Sequence, residues 1–178
     1  MAIMEDRAGF KAAYEPWLER QRPLLNEKKW KEAFVGYPFV QNQETPFAPM
    51  TKPLPRCRLG LFTTAGLYIQ GEQEAFDAAN IEGDATFREL PLDTPRERLA
   101  IAHTHFDHSV AGTDLNSVFP VDRLREMTAE GLLGELTPRA VSISGYCTRA
   151  DVIAERTAPA VVEAFRRQAV DTVLFVPV

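Results

Sequence analysis

The sequence has few cysteines and no long apolar run. Only two of its 178 residues are cysteines, Cys57 and Cys147, which excludes a disulfide framework and a multi-cysteine zinc site built by this chain alone. No stretch approaches the roughly 20 apolar residues that a membrane span needs, and residues 1–5 lack the basic start of a secretory signal. These absences predict a soluble protein of the reducing cytoplasm that has no membrane partner.

The chain also lacks a basic stripe. Its 20 basic and 25 acidic residues are interspersed and give a net charge of −5, which argues against nucleic acid as a partner. No glycine-rich phosphate fingerprint is present, so a nucleotide cofactor is not supported. The 45% hydrophobic content, with 11 phenylalanines, is enough for one domain with a proper core.

Residues 1–55 differ in texture from the rest and are predicted to form a helical and proline-rich arm. Apolar residues at helical spacing predict a helix over 6–20, and a second short helix is predicted over 27–34. The apolar stripe of the first helix comprises Phe10, Ala13, Tyr14, Trp17 and Leu18. An extended strap follows because its prolines exclude regular structure; they are Pro38, Pro46, Pro49, Pro53 and Pro55. The stripe needs a cover, either the body or a second subunit, and we expect a subunit contact.

Residues 56–178 alternate between strand and helix patterns. Strands are predicted over 58–68, 87–90, 99–103, 141–145 and 172–178. Helices are predicted after Pro120, closed by Gly131, and over 158–169. This order predicts a Rossmann-like three-layer α/β sandwich with a largely parallel sheet. The last strand is strongly apolar, which is typical of the interior of a sheet.

All three histidines fall in one short segment, His103-Thr104-His105-Phe106-Asp107-His108, directly after a predicted strand. The spelling is that of the His-x-His-x-Asp-His signature of metallo-β-lactamase-like hydrolases, where imidazoles bind zinc or iron. That fold adds histidines far downstream, and residues 109–178 contain none. A divalent metal held by His103, His105 and His108 with a partner's groups stays open as a hypothesis.

Two further interpretations of the histidine segment need no metal. In one, the imidazoles only make hydrogen bonds at a polar strand end. In the other, His103, His105 or His108 acts as an acid, a base or a carboxylate-binding group, and Asp107 orients an imidazole. The residues alone leave these interpretations open.

Six blocks spread over about two thirds of the chain extend the pattern beyond the histidines. They are residues 61–66, 83–88, 103–108, 114–124, 130–134 and 144–146. In this order they resemble the amino-terminal part of the glycine/sarcosine/betaine/D-proline reductase selenoprotein B family. The arm adds little to the resemblance.

The resemblance implies reductive cleavage of a bond alpha to a carboxylate in a small amino acid or its N-methylated relative. It also implies a selenocysteine or cysteine as the attacking group, because the anion is the nucleophile. A dithiol reductant or partner reductase subunit then reduces it. The redox residue is expected beyond Val178, and selenocysteine is encoded by a codon ordinarily read as stop. We therefore hypothesise the amino-terminal part of a longer protein; a short family member is the alternative, and the codons after Val178 would decide.

Other polar residues are candidates for the site. Cys147 follows a predicted strand and is a redox candidate, whereas Cys57 is interpreted as a bystander. Thr63 and Thr64 also follow a strand and are candidates for substrate binding. The loop residues Asp114, Asn116 and Arg123 either cradle the substrate, with Arg123 on its carboxylate, or only cap local backbone.

The sequence thus predicts a subunit or fragment of a selenocysteine- or cysteine-dependent reductase that works in a homo- or hetero-oligomer. A non-catalytic binding or assembly subunit of such a complex is one alternative. A metal-dependent hydrolase that uses the histidine segment is the other.

Overall fold

A computed structural model describes residues 7–40 and 47–178. Asp6 of the first predicted helix and Pro46 of the predicted strap lie outside the described residues. The helices are α1 (Arg7–Asn26), α2 (Trp30–Ala33), α3 (Ser109–Thr113), α4 (Val121–Ala129), α5 (Ala150–Val152) and α6 (Ala158–Arg167). The strands are β1 (Arg58–Thr63), β2 (Leu67–Ile69), β3 (Phe87–Pro91), β4 (Leu99–Ile101), β5 (Glu135–Leu136), β6 (Arg139–Ile143) and β7 (Thr172–Val176). None of the helices in these described ranges combines the length and apolar composition that crossing a membrane requires.

The main sheet is mixed and centred on β1. Strand β7 pairs in parallel along one side of β1, while β5 and then β6 pair in parallel along the other. Strand β3 pairs with β6 in the antiparallel direction. The prediction of an α/β fold with mostly parallel strands is confirmed, whereas the antiparallel β3 is a departure from a Rossmann-like sheet.

The predicted strand over 58–68 is two strands. The chain leaves the main sheet at Gly66, whose φ of +68° is a conformation that glycine adopts without steric cost. After this turn β2 pairs with β4 in a separate antiparallel ribbon. Because β4 runs antiparallel to β2, the residues that follow β4 return to the end of β1.

The two faces of β1 have different covers. Leu59 and Leu61 pack with ribbon and α4 residues, whereas Phe62 packs with Val161 and Phe165 of α6. This alternation follows from the two-residue period of a strand. The predicted inward residues of the last helix are confirmed as buried; they are Val161, Ala164 and Phe165.

Strand β7 is an edge strand in the described part of the chain, because it pairs with β1 alone. Leu174 is 37% exposed and Phe175 is 63% exposed. The prediction that this strand lies in the interior of a sheet is therefore wrong for the described chain. A run of apolar side chains is typical of a buried strand, but it does not report how many neighbouring strands pair with it.

The arm packs on its own chain. Four of the five predicted stripe residues are buried together with Leu25 of the same helix, whereas Ala13 is exposed. Helix α1 continues through Pro16 and Pro23 beyond its predicted end. Tyr14 Oη lies 2.8 Å from Thr148 Oγ1, and Tyr37 Oη donates to the Thr148 carbonyl at 2.8 Å. These bonds dock the arm on the loop that follows β6, so the stripe is not available for the predicted subunit contact.

Candidate functional site

Several chain segments converge at the carboxyl end of β1. Thr64 N donates to the Val176 carbonyl at 3.1 Å, and Val178 N donates to Thr64 Oγ1 at 2.9 Å. On the other side, Ala102 N donates to the Gly66 carbonyl at 2.9 Å and so places His103 at the same edge. The histidine segment and Val178 therefore lie at the same edge of the sheet.

His103 is the buried histidine of the site, with 4% of its surface exposed. Its Nδ1 accepts a hydrogen bond from His105 N at 3.1 Å, which assigns the proton of the neutral ring to Nε2. Within residues 7–40 and 47–178, Nε2 is buried and has no hydrogen-bond partner. A buried donor without a partner costs on the order of 1–3 kcal/mol, so this N–H is a candidate for contact with a ligand.

Gly145 packs directly beside this N–H. A Cβ atom at Gly145 would lie 2.8 Å from His103 Nε2 and 3.1 Å from Thr64 Oγ1. Only a residue without a side chain therefore fits at this position between the imidazole and the hydroxyl. Gly145 is itself exposed, so a residue that solvent reaches covers the buried N–H.

His105 lies in an aromatic slot. Its ring stacks on Tyr146 with centroids 4.0 Å apart and an interplanar angle of 11°, and the Trp30 ring stands edge-on at 4.6 Å. Its Nε2 is enclosed and has no partner among the described residues. Sequence reasoning missed Trp30 and Tyr146 as site residues, because nothing in the local pattern shows that the arm reaches the histidine segment.

His108 and Asp107 play local structural parts. His108 Nε2 lies 2.5 Å from the His103 carbonyl, to which it donates. The Asp107 carboxylate accepts from Ser109 N and Ser109 Oγ, both at 2.9 Å, at the start of α3. Both Asp107 oxygens thus serve this turn, which corrects the expectation that Asp107 orients an imidazole.

The histidine nitrogens do not converge on one point. His103 Nδ1 and His108 Nε2 are occupied by backbone groups, and His105 Nε2 is enclosed in the aromatic slot. In the ranges 7–40 and 47–178 no group of three or more His, Cys, Asp or Glu side chains is arranged to hold a metal ion. The hypothesis of a metal on His103, His105 and His108 therefore has no support from the geometry.

The surroundings of the two cysteines do not favour a redox role. Burial is the largest influence on Cys147 and raises the pKa of its thiol, so the reactive thiolate is disfavoured. Cys57 is buried, and its Sγ lies 3.4 Å from the Lys52 carbonyl, to which it donates. This environment counts against the predicted redox role of Cys147 and agrees with a bystander role for Cys57.

The predicted substrate-binding residues are mostly engaged with their own chain. Thr63 is buried, and its hydroxyl donates to the Val118 carbonyl at 2.8 Å. Asp114 accepts from the backbone N and side-chain Nδ2 of Asn116, both at 2.9 Å. Arg123 is exposed and pairs with Glu126 at 2.8 Å. Of these predicted residues, only Thr64 lies next to the position between Gly145 and the His103 ring.

The acid sensitivity of the fold should depend on His103. Burial, followed by the neighbouring His105 and His108, lowers the pKa of His103. The unfolded histidine titrates near about pH 6.5, above the pKa in the folded protein, so the unfolded state binds more protons than the folded state. The free energy of unfolding therefore decreases as the pH falls from about 6.5 through the folded pKa. We expect urea unfolding to show a decline between about pH 7.5 and about pH 5.5 that is smaller in His103→Gln. An equal decline in both proteins would contradict the assignment.

Comparison with known proteins finds relatives that match most of the chain. The family model described as glycine/sarcosine/betaine reductase selenoprotein B matches residues 19–177. The chain is 27% identical over 128 residues to the D-proline reductase subunit gamma of Acetoanaerobium sticklandii, covering 72% of this chain and 51% of the relative. It is 26% identical over 114 residues to the glycine reductase complex component B subunit gamma of Symbiobacterium thermophilum, covering 64% of this chain and 27% of the relative.

A further relative is the sarcosine reductase complex component B subunit beta of Peptoclostridium acidaminophilum, which is 21% identical over 126 residues, 70% of this chain and 29% of the relative. The chain thus spans about half of the length of one of these relatives and less than a third of the other two. No solved structure matches it.

Proposed function

The chain belongs to the glycine/sarcosine/betaine reductase selenoprotein B family, and from this membership we propose that it forms the proton-donating and substrate-holding part of a reductase-complex subunit. The relatives are named as subunits of reductase complexes, which supports a hetero-oligomeric setting. The substrate class that we propose is a small amino acid or its N-methylated relative.

One observation carries this proposal. The buried Nε2–H of His103 has no partner in the described chain, and Gly145 packs directly beside it next to Thr64. Buried polar groups are almost always paired, so an unpaired one is a candidate for contact with a reacting group. This N–H lies at the carboxyl edge of parallel strands, where α/β proteins bind ligands.

The proposed reaction is a reductive cleavage alpha to a carboxylate. A selenolate or thiolate attacks the α-carbon; the carbon–nitrogen bond breaks, and its electron pair goes to the departing nitrogen. The substrate nitrogen is an ammonium or quaternary centre, so it leaves as a neutral amine without an added proton. A partner dithiol then supplies two electrons and becomes a disulfide, which regenerates the nucleophile. The α-carbon keeps the electron pair of its bond to selenium or sulfur and takes a proton, which His103 delivers from its protonated form, and the reduced acid is released.

The nucleophile in this proposal is neither of the two cysteines, because burial raises the pKa of the Cys147 thiol and Cys57 is buried. Thr64 Oγ1 holds the backbone N of Val178, so residues that follow Val178 in a longer protein would begin beside His103. A selenocysteine or cysteine in that position, or on a partner subunit, would lie near His103. Reading the codons after Val178 tests the first of these sources directly.

Reconstitution tests the proposed function. The full gene product, with its redox residue and a dithiol reductant, should cleave the bond between the α-carbon and nitrogen of glycine, sarcosine, betaine or D-proline, whereas residues 1–178 with Cys57 and Cys147 changed to serine should not. Full turnover by that serine variant would overturn the mechanism. Zinc-dependent ester or lactam hydrolysis by the same protein would instead favour the metal-dependent hydrolase.

A non-catalytic assembly subunit remains the second candidate because of one observation, the exposed edge of β7 with Phe175 at 63% exposure. An unpaired strand edge is suited to pairing with another chain. In that case the complex would assemble through β7, and changes at His103 would leave its turnover unaffected.

A further inference from the structure

A polar cleft lies between the arm and the body, next to the aromatic slot of His105. Its volume is about 440 Å³, which is within the range of small-molecule sites. Its lining includes Lys28, Trp30, Asn80, Ile81, Thr104 and His105. The cleft therefore combines one cation, hydrogen-bonding groups and an aromatic wall, and no carboxylate lines it.

The cation of this cleft has no counter-charge. Lys28 makes no ion pair with an acidic residue in the described ranges, 7–40 and 47–178, whereas its neighbour Lys29 pairs with Glu27 at 2.7 Å. Lys28 also acts on the histidine of the cleft, because after burial its charge is the second influence that lowers the pKa of His105. An ammonium group and a neutral imidazole thus share one space that offers positive potential.

A second observation concerns the polar groups of the same cleft. Tyr146 and Trp30 hold the His105 ring in place and enclose its Nε2. Thr104 is exposed, and its Oγ1 lies 3.4 Å from both the Ala78 carbonyl and His105 Nδ1. Both contacts are long, so this hydroxyl is able to donate to an oxygen anion in the cleft.

The backbone keeps Lys28 at this position. Lys28 N donates to the Leu25 carbonyl at 3.0 Å and Lys29 N donates to the Leu24 carbonyl at 2.9 Å, which closes the end of α1. Lys28 has a φ of +57°, a left-handed conformation in which glycine or asparagine is preferred at helix ends. An asparagine at this position would therefore keep the helix end while removing the charge.

We propose that this cleft binds the carboxylate of a small amino acid or its N-methylated derivative, with Lys28 as the counter-charge, Thr104 as a hydrogen-bonding group and the rings of Trp30 and His105 as its wall. The inference rests on the proposed function, because it gives a place to one end of that substrate. The names of the related reductases contain glycine, sarcosine, betaine and D-proline. These molecules differ at nitrogen but share a carboxylate beside the carbon that carries nitrogen, so the carboxylate is what a common subsite can recognise.

The position of the cleft suits this division of labour. The ring centres of His103 and His105 are 5.7 Å apart, a separation that a small amino acid bridges. In this proposal a carboxylate held near Lys28 directs the α-carbon toward His103, which supplies its proton. The Trp30 face can accept the nitrogen end through a cation–π contact whether that nitrogen is primary or quaternary.

Binding to the full chain tests this proposal without turnover. Calorimetric titration with sarcosine should give a measurable dissociation constant that weakens by about 10-fold or more in Lys28→Asn, since one charge-assisted bond is lost. The matched control Lys29→Asn, which removes the neighbouring charge, should bind like the wild type. Sarcosine amide, which lacks the carboxylate, should also bind about 10-fold or more weakly, and Lys28→Asn should unfold at the wild-type temperature or above it.

The outcomes separate this inference from the proposed function. Absence of binding of sarcosine, glycine, betaine and D-proline by the wild type overturns the cleft proposal, as does equal binding by Lys28→Asn or by the amide. In either case a His103-dependent reductase activity would still stand. If Lys28→Asn raises KM in the reconstituted reductase while His103→Gln leaves kcat unchanged, the cleft proposal stands and the proton-donor function fails.

Discussion

Replacing His103 with glutamine is expected to lower the turnover number of the reconstituted reductase by about 10²-fold or more. Glutamine can place an amide N–H near the position of Nε2, but it does not release a proton at neutral pH. The substitution therefore preserves an N–H beside Gly145 and removes proton transfer to the α-carbon. The measurement is kcat for formation of the reduced acid at saturating substrate.

The control for this experiment is His108→Gln. His108 is exposed, and its Nε2 donates to the His103 carbonyl and not toward Gly145. Its replacement should therefore change kcat by only a few-fold. A second readout separates chemistry from positioning, because loss of the acid should also flatten the dependence of kcat on pH. Wild-type kcat in His103→Gln would remove His103 from the mechanism and favour the assembly-subunit alternative.

Replacing Trp17 with alanine is expected to have the largest effect on stability, a loss of about 3–5 kcal/mol in the free energy of unfolding. Trp17 is fully buried in the arm, and its ring packs against Tyr37 at 4.9 Å and against Tyr14 and Phe34 at 5.7 Å. At roughly 2–4 °C per kcal/mol for a chain of this size, Tm should fall by about 6–20 °C. Differential scanning calorimetry measures this change.

Val35→Ala provides the matched control in the same arm. Val35 is 69% exposed, so its truncation should change the free energy of unfolding by less than about 0.5 kcal/mol. Because Lys28 and Trp30 follow α1, Trp17→Ala should also weaken carboxylate binding in the cleft. A Tm within about 2 °C of the wild type in Trp17→Ala would show that the arm is not docked on the body in solution.

The docking of the arm changes how the site is understood. From the sequence the arm was separable from the chemistry, since the six family blocks begin at residue 61. In the structure Trp30 forms a wall of the aromatic slot and Lys28 lines the cleft. The predicted site residues of the body therefore describe only part of the surroundings of the histidines.

The sequence by itself determined the family, the α/β class and the elements whose periodicity records burial. Helix α6 buries Val161 and Phe165 as predicted, because a 3.6-residue repeat reports the buried face of a helix directly. The histidine segment was also placed correctly at the end of a strand. These features depend on short-range patterns or on the order of the family blocks along the chain.

The tertiary structure alone decided which polar groups are free. Asp107 and Arg123 have the right chemistry for a site, yet each meets a neighbour within three residues, whereas His103 Nε2 is left without a partner in the described chain. It also decided that β7 is an edge strand and that Lys28 lies beside His105. Such facts depend on contacts between residues far apart in sequence, and no local pattern of side chains specifies which distant groups will satisfy a charge or a hydrogen bond.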